Sequence, residues 1–162
     1  MYRVLDICRY IINYSNKEGF GVSNLKLQKL LYFIQADFLV NSKGLKPCFD
    51  EAIEAWDFGP VVPEAYREYK QYGSTDIPLI KSYIEVDKDD PWNTFRIEYD
   101  ENCISDEDKN MINAVITKMA DFSATDLVNI THNQAPWKDA YVQYANNEIK
   151  KSSIMEYFSG RK

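Results

Sequence analysis

The stretch NLKLQKLLYFIQADFLV, residues 24 to 40, is apolar on two sides when it is placed on a helical wheel. One side carries Leu27, Leu30, Leu31, Ile34 and Phe38, and the other carries Leu25, Tyr32, Phe33, Ala36, Leu39 and Val40. A helix that is apolar all round is normally buried at the centre of its fold. The sequence therefore predicts a central helix at about 24–42, with Ser23 as its N-cap and Gly44 beyond its end.

Lys29 places a charge in the middle of the second apolar side of this helix. A buried ammonium group without a partner is costly, so it needs a carboxylate or a route to water. In the strand predicted at 52–58, alternation puts Glu54, Trp56 and Phe58 together on the buried face. We predict an ion pair between Lys29 and Glu54. The alternative is that the lysine stem extends its amine to the surface.

The rest of the chain is predicted to form further helices and a few short strands. Three serines are each followed three residues later by an acid, which favours helix starts at Ser105, Ser123 and Ser153. Gly59 and Pro60 are expected to turn the chain sharply before a helix that begins at Pro63. The other predicted helices are 2–17 and one from Pro136, and the predicted strands lie within 47–58, 80–86 and 94–100.

These elements predict one domain over residues 1–162. Its fold class is α+β and predominantly α-helical, with about six helices around a central buried helix and a small antiparallel β-sheet. The hydrophobic fraction of 45% is ample for a core. No apolar run approaches the roughly 18 residues of a membrane span, and three widely spaced cysteines fit a reducing compartment. We therefore expect a cytoplasmic protein without membrane contact.

Acidic residues are concentrated in one segment. Residues 85–108 hold ten acidic and two basic side chains, whereas the remaining chain holds 17 basic and 15 acidic ones. The net charge of the whole protein, −6, therefore originates in this segment. A protein without a basic stripe binds phosphate backbones weakly, so strong nucleic-acid binding is not expected.

No catalytic or metal-binding pattern stands out. His132 is the only histidine; it could act as a base or a ligand, but at a predicted helix end it more often bonds backbone carbonyls. Adjacent acids such as Asp89–Asp90 and 106–108 could hold a divalent ion, yet such loop carboxylates are usually solvated. Trp137, after Pro136, is read as a core anchor. We predict no catalytic residue, no metal and no cofactor.

Three blocks in order, LKLQKLLYFIQADFL, FDEAIEAWDFGPVVPEAYREYKQYG and THNQAPWKDAY, resemble the Panacea domain of phage-associated, SocA-like antitoxins. The pattern AW-x-x-GPV-x-P-x-x-Y is the most specific part. The resemblance implies a mostly helical cytoplasmic domain that neutralises, by binding, a toxin encoded by a neighbouring gene. It also implies an alternative, delivery of the toxin to a AAA+ protease. The residues read as the structural motif are Lys29, Glu54, Trp56, Gly59, Pro60, Pro63, His132, Pro136 and Trp137.

The segment 85–101 is the predicted toxin-facing element, because it combines concentrated negative charge with aromatic side chains. Its candidate contact residues are Asp87, Asp89, Asp90, Trp92, Phe95 and Tyr99. The alternative is a solvated hairpin whose aromatic rings pack on the domain. Tyr66 and Tyr69, on the helix at 64–72, are expected to form a second exposed surface; the alternative is an ordinary half-buried rim of the helix. Two other functional classes remain open from the sequence, an enzyme that reverses toxin chemistry and a nucleic-acid-binding repressor.

Overall fold

Two consecutive helices supply half of the buried core residues in the computed structural model, which describes residues 1–160. Helix α1 (Val4–Glu18) ends at Gly19, whose φ of 75° places it in the left-handed region that favours glycine. Helix α2 (Asn24–Asn41) begins at Ser23, whose Oγ accepts a hydrogen bond from the backbone N–H of Lys26. Fourteen of the 18 residues of α2 are buried. The prediction of a central buried helix is confirmed.

Five further helices pack around this pair: α3 (Pro63–Tyr69), α4 (Asp106–Met119), α5 (Ala124–His132), α6 (Ala135–Ala140) and α7 (Lys151–Ser159). Helix α2 contacts α3, α4, α5 and α7. Short 3₁₀ turns cover Lys70–Tyr72 and Glu101–Cys103. The described chain is predominantly helical, with six α-helices besides the central α2, as predicted.

Of the three helix starts predicted at serines, two are confirmed and one is wrong. Ser123 forms a complete capping box with Asp126, and Ser105 Oγ accepts from the backbone N–H of Asp108. The prediction for Ser153 is wrong, because α7 already begins at Lys151. The preceding extended segment ends at Ile149, whose N–H donates to the carbonyl of Ile53. The helix can therefore begin directly after this segment.

The strands form two separate antiparallel hairpins rather than one sheet. The first pairs β1 (Glu54–Trp56) with β2 (Gly59–Val61), and the second pairs β3 (Ser82–Val86) with β4 (Thr94–Glu98). Of the predicted strand near residue 47, only an isolated bridge between Tyr2 and Phe49 is present. Segment 147–149 lies along the other edge of β1, where the N–H of Ala55 donates to the carbonyl of Asn147.

Gly59 and Pro60 lie inside β2, so the expectation that they turn the chain is wrong. The turn is made by Asp57 and Phe58 instead. Pro60 has no N–H to donate to a neighbouring strand. It is tolerated in β2 because the residue opposite it, Ala55, donates its own N–H away from β2, to segment 147–149. No helix within residues 1–160 is long and apolar enough to cross a membrane.

Candidate functional site

The β1–β2 hairpin carries the most specific sequence pattern, and its faces are the reverse of those predicted. Ile53 and Ala55 are buried in the core, whereas Glu54 and Trp56 are half-buried and Phe58 is 66% exposed. Trp56 Nε1 donates to Glu54 Oε2 at 2.7 Å, so the tryptophan satisfies this carboxylate locally. Glu54 therefore needs no partner from the core, and the buried position expected for it is wrong.

Lys29 lies opposite this hairpin and has no exposed surface. Its Nζ donates to the carbonyl of Pro60 at 2.9 Å, and no carboxylate in residues 1–160 pairs with it. The predicted ion pair with Glu54 is wrong, and so is the alternative of an amine that reaches water. Burial lowers the pKa of Lys29 to about 7, because a neutral amine is far less costly to bury than an ammonium group.

The absence of a side chain at Gly59 makes room for the Lys29 amine. Its φ is 97°, and a Cβ added there would lie 2.8 Å from Lys29 Cε and 2.7 Å from Thr131 Oγ1. Both distances are shorter than real side-chain contacts allow. Glycine is thus required here by the backbone conformation and by the close approach of α2 and α5.

The end of α5 and helix α6 hold the hairpin from the other side. His132 stacks on Trp137 (centroids 4.1 Å apart), and Trp137 stacks on Tyr141 (4.5 Å). Trp137 Nε1 donates to the carbonyl of Trp56 at 2.9 Å, and Tyr141 donates its hydroxyl to Asp57 at 2.7 Å. Burial lowers the pKa of His132, while a hydrogen bond with the backbone of Asp57 acts in the opposite direction.

This arrangement fits a scaffold rather than a reactive centre. Pro136 is buried in the first turn of α6, Pro63 opens α3, and Trp137 packs against the core as predicted. The residues of the sequence motif therefore hold α2, α5, α6 and the β1–β2 hairpin together. Within residues 1–160 no group of three or more His, Cys, Asp or Glu side chains could hold a metal ion.

Asp108 differs from the solvated carboxylate expected in the acidic segment. It is buried, and it accepts hydrogen bonds from Lys46 Nζ at 2.9 Å and from the hydroxyl of Tyr2. Burial alone would raise the pKa of Asp108, but these hydrogen bonds and one from Ser105 hold it below its ordinary value. This part of the acidic segment has a structural role.

The β3–β4 hairpin, at the start of the acidic segment, rests on α1 with one face. The side chains of Tyr83 and Glu85 share this face with Ile97. The guanidinium of Arg9 lies 3.4 Å from the centre of the Tyr83 ring, and Arg3 donates to Glu85 at 2.7 Å. On the opposite face Ile84 and Val86 are exposed.

The tip of this hairpin presents the predicted contact residues. Trp92 is 95% exposed, and Phe95 is also exposed. Asp87 accepts from the backbone N–H of Asp89 at 2.8 Å, and Asp90 accepts from that of Trp92 at 3.1 Å, so two of the carboxylates also shape the turn. Tyr99 differs: it is half-buried, and burial raises the pKa of its hydroxyl.

The second predicted surface, on α3, is not formed as expected. Tyr66 is partly exposed and contacts Trp56 edge-on at 5.0 Å, but Tyr69 is only 4% exposed. The reason is helical geometry, since Tyr69 lies one turn beyond the buried Ala65 and shares its side of the helix. Burial raises the pKa of Tyr69 strongly. The prediction that both tyrosines are exposed is wrong for Tyr69.

Comparison with known proteins points in one direction. The family model described as "Antitoxin SocA-like, Panacea domain" matches residues 27–138. Antitoxin SocA of Caulobacter vibrioides (strain NA1000 / CB15N) is 52% identical over 52 residues, which are 32% of this chain and 27% of that protein. The match thus spans about a quarter of the length of this curated relative. No solved structure matches the chain.

Proposed function

Because the chain belongs to the SocA-like antitoxin family with a Panacea domain, we propose that it neutralises a toxin protein by binding it directly. The toxin is encoded by a neighbouring gene, and both proteins act in the cytoplasm. The chain masks its target rather than modifying it, and it uses no catalytic residue or cofactor. The toxin-binding surface is the tip of the β3–β4 hairpin, residues 87–95.

The exposure of Trp92 is the observation that carries this proposal. A tryptophan that is 95% exposed gains nothing from the fold of its own chain. Tryptophan is also the side chain most often found at the energetic centre of protein interfaces. Phe95 is on the same hairpin, directly opposite Glu85, and three aspartates precede Trp92 in the turn, which suits aromatic anchors with a charged rim.

The charge of the hairpin supports a basic target. Asp87, Asp89 and Asp90 lie together at the tip, and Lys88 is the single basic residue between Asp87 and Asp90. Toxins that act on RNA or nucleotides hold them with basic surfaces. An acidic hairpin would be attracted to such a surface and would occupy it, which both speeds association and blocks the toxin's substrate.

The test is to express the chain with the product of the adjacent gene and to measure growth rescue and the affinity of the purified pair. We expect Trp92→Ala to leave the melting temperature unchanged but to accelerate dissociation about tenfold or more. Leu45→Ala is the matched control, because Leu45 is 89% exposed but lies outside the hairpin. This control should leave dissociation unchanged.

Three outcomes would contradict the proposal. Rescue without a stable complex, or rescue at far less than one copy per toxin, would indicate an enzyme. Loss of the toxin that requires a AAA+ protease would indicate an adaptor. A complex whose lifetime is the same for wild type, Trp92→Ala and Phe95→Ala would place the interface away from the hairpin.

A further inference from the structure

A cleft of about 350 Å³ opens beside the β1–β2 hairpin, between its turn, the exposed side of α3 and the loop before α7. None of its lining residues belongs to the β3–β4 hairpin. Its volume lies at the lower end of the roughly 300–1,000 Å³ of ligand pockets. The lining residues that matter here are Trp56, Asp57, Phe58, Tyr66, Tyr144 and Asn146.

The lining is unusually rich in exposed aromatic rings. Phe58 is 66% exposed and Tyr144 is 89% exposed, while Trp56 and Tyr66, which also line the cleft, contact each other edge-on. Single exposed apolar residues are common, but four aromatic rings line this one concavity. The faces of such rings attract cations.

The charge of the cleft is negative. Among the lining residues that the structure describes, Asp57 is the single acid, and there is no Lys, Arg or His. One oxygen of Asp57 accepts from the hydroxyl of Tyr141 at 2.7 Å, and within residues 1–160 the second oxygen accepts no hydrogen bond. Glu54 does not line the cleft, but its carboxylate accepts a hydrogen bond from the indole N–H of the lining residue Trp56. The cleft is therefore complementary to a positive group.

The loop that completes the cleft is held in an unfavourable backbone conformation. Tyr144 has a φ of 66° and Asn146 a φ of 50°. Asparagine tolerates the left-handed region, but a tyrosine there is uncommon. The loop is tied down by Asn147, whose side chain donates to the carbonyl of Ala140 and whose carbonyl accepts from Ala55. The fold thus presents the Tyr144 ring at the cleft although the backbone disfavours it.

We propose that this cleft binds an arginine side chain of a partner protein. A guanidinium group stacks flat on aromatic rings and offers paired N–H donors that match a carboxylate, which are the two features that the cleft provides. Phe58 and Tyr144 would enclose the guanidinium, and the second oxygen of Asp57 would accept from it. This site goes beyond the toxin-binding hairpin and does not depend on it.

The test uses the full chain labelled with ¹⁵N and two peptides, Ac-Gly-Arg-Gly-NH₂ and the same peptide with citrulline, which is neutral but nearly equal in shape. We expect the arginine peptide to shift the indole N–H signal of Trp56 and to saturate in the millimolar range, as one ion pair and one or two cation–π contacts allow. The citrulline peptide should bind at least about fivefold more weakly.

Two variants localise the effect. Asp57→Asn keeps an oxygen for Tyr141 but removes the charge, and Phe58→Ala removes an exposed ring. Each should weaken the arginine peptide about threefold to tenfold with an unchanged melting temperature. Phe122→Ala removes a partly exposed ring outside the cleft and should change nothing. Equal binding of both peptides, no shift at Trp56 up to about 20 mM peptide, or insensitivity to both variants would overturn the proposal.

Discussion

At the scale of single residues, Lys29 and Gly59 have to be considered together. The amine of Lys29 is fully buried and bonded to the carbonyl of Pro60, in space that Gly59 leaves open. The sequence correctly marked Lys29 as a charge in an apolar side of α2. The partner of Lys29 could not be identified from the sequence. The accepting carbonyl belongs to Pro60, whose position is set only by the register of the folded β1–β2 hairpin.

The first prediction concerns the pH dependence that Lys29 imposes on stability. Burial lowers its pKa from 10.5 to about 7. Between these two values the unfolded chain binds a proton that the folded chain does not, so raising the pH favours the folded state. Relative to Lys29→Met, the free energy of unfolding of the wild type should rise by about 2 kcal/mol between pH 7 and pH 9. Denaturant unfolding at several pH values measures it.

The comparison with Lys29→Met isolates this group, because the buried cysteines and tyrosines titrate equally in both proteins. His132 is the neighbouring titratable side chain, and its lowered pKa keeps it neutral throughout the window. A difference between the two proteins that is constant from pH 7 to pH 9 would mean that the amine retains its charge when buried.

The second prediction is that Gly59→Ala destabilises the fold by about 2–4 kcal/mol, as the sum of left-handed strain and overpacking against Lys29 and Thr131. Gly19→Ala is the control, since Gly19 has a φ of 75° but nothing within 4 Å of an added Cβ. The control should cost only the strain, about 1 kcal/mol. Equal losses in the two variants, measured by denaturant unfolding, would show that the close approach at Gly59 has no energetic weight.

At the scale of elements, the sequence predicted helices well and strand faces poorly. Helix α5 was predictable because Ser123 and Asp126 form a local capping signal that needs no tertiary partner. Strand β1 has only three residues, and its large side chains, Glu54 and Trp56, lie on the half-buried face, whereas the buried face carries the small Ala55. Which face is buried depends on β2 and on segment 147–149, both of which lie beyond the strand itself. Alternation predicted correctly that every second residue shares a face of the strand, but it did not predict which face is buried.

The third prediction concerns how the β3–β4 hairpin is fixed to α1. The ion pair between Arg3 and Glu85 is largely exposed and contributes little, so the contact of Tyr83 with the buried Arg9 should dominate. We expect Tyr83→Ala to speed amide hydrogen exchange in residues 82–98 about tenfold while α2 remains protected. Ile84→Ala, on the opposite and exposed face, should leave exchange nearly unchanged. Loss of protection in α2 as well would mean that the hairpin unfolds only with the whole domain.

At the scale of the whole molecule, the acidic segment divides into two parts with different roles. Asp106, Glu107 and Asp108 lie in the first turn of α4, where negative charge favours the helix N-terminus, and Asp108 is paired with Lys46. At the hairpin tip, Asp87 and Asp90 accept hydrogen bonds from backbone N–H groups of the turn, and Asp89 is exposed. The total charge could be read from the sequence, whereas this division of the segment could not.

The fourth prediction follows from the charge at the tip. Replacing Asp87, Asp89 and Asp90 together by Asn keeps one side-chain oxygen at each position, which is enough to accept from the backbone N–H groups of Asp89 and Trp92, so the hairpin should remain folded. The association rate with the toxin should fall about tenfold at low salt, and the difference should fade as salt approaches about 0.5 M. Stopped-flow kinetics of the wild type and the triple variant measure both effects. A rate that is equal at every salt concentration would exclude electrostatic steering.

The β3–β4 hairpin leaves the domain and rejoins it at one place, where Ser82 pairs with Glu98 and the N–H of Tyr99 donates to the carbonyl of Lys81. The distance between its two ends is therefore fixed by the strand ladder and not by the length or sequence of the tip. Residues 87–93 can consequently change in composition, or gain and lose residues, without moving α1 or α4. On the proposal that the tip contacts the toxin, insertions in this segment would change specificity while the interior of the domain remained the same.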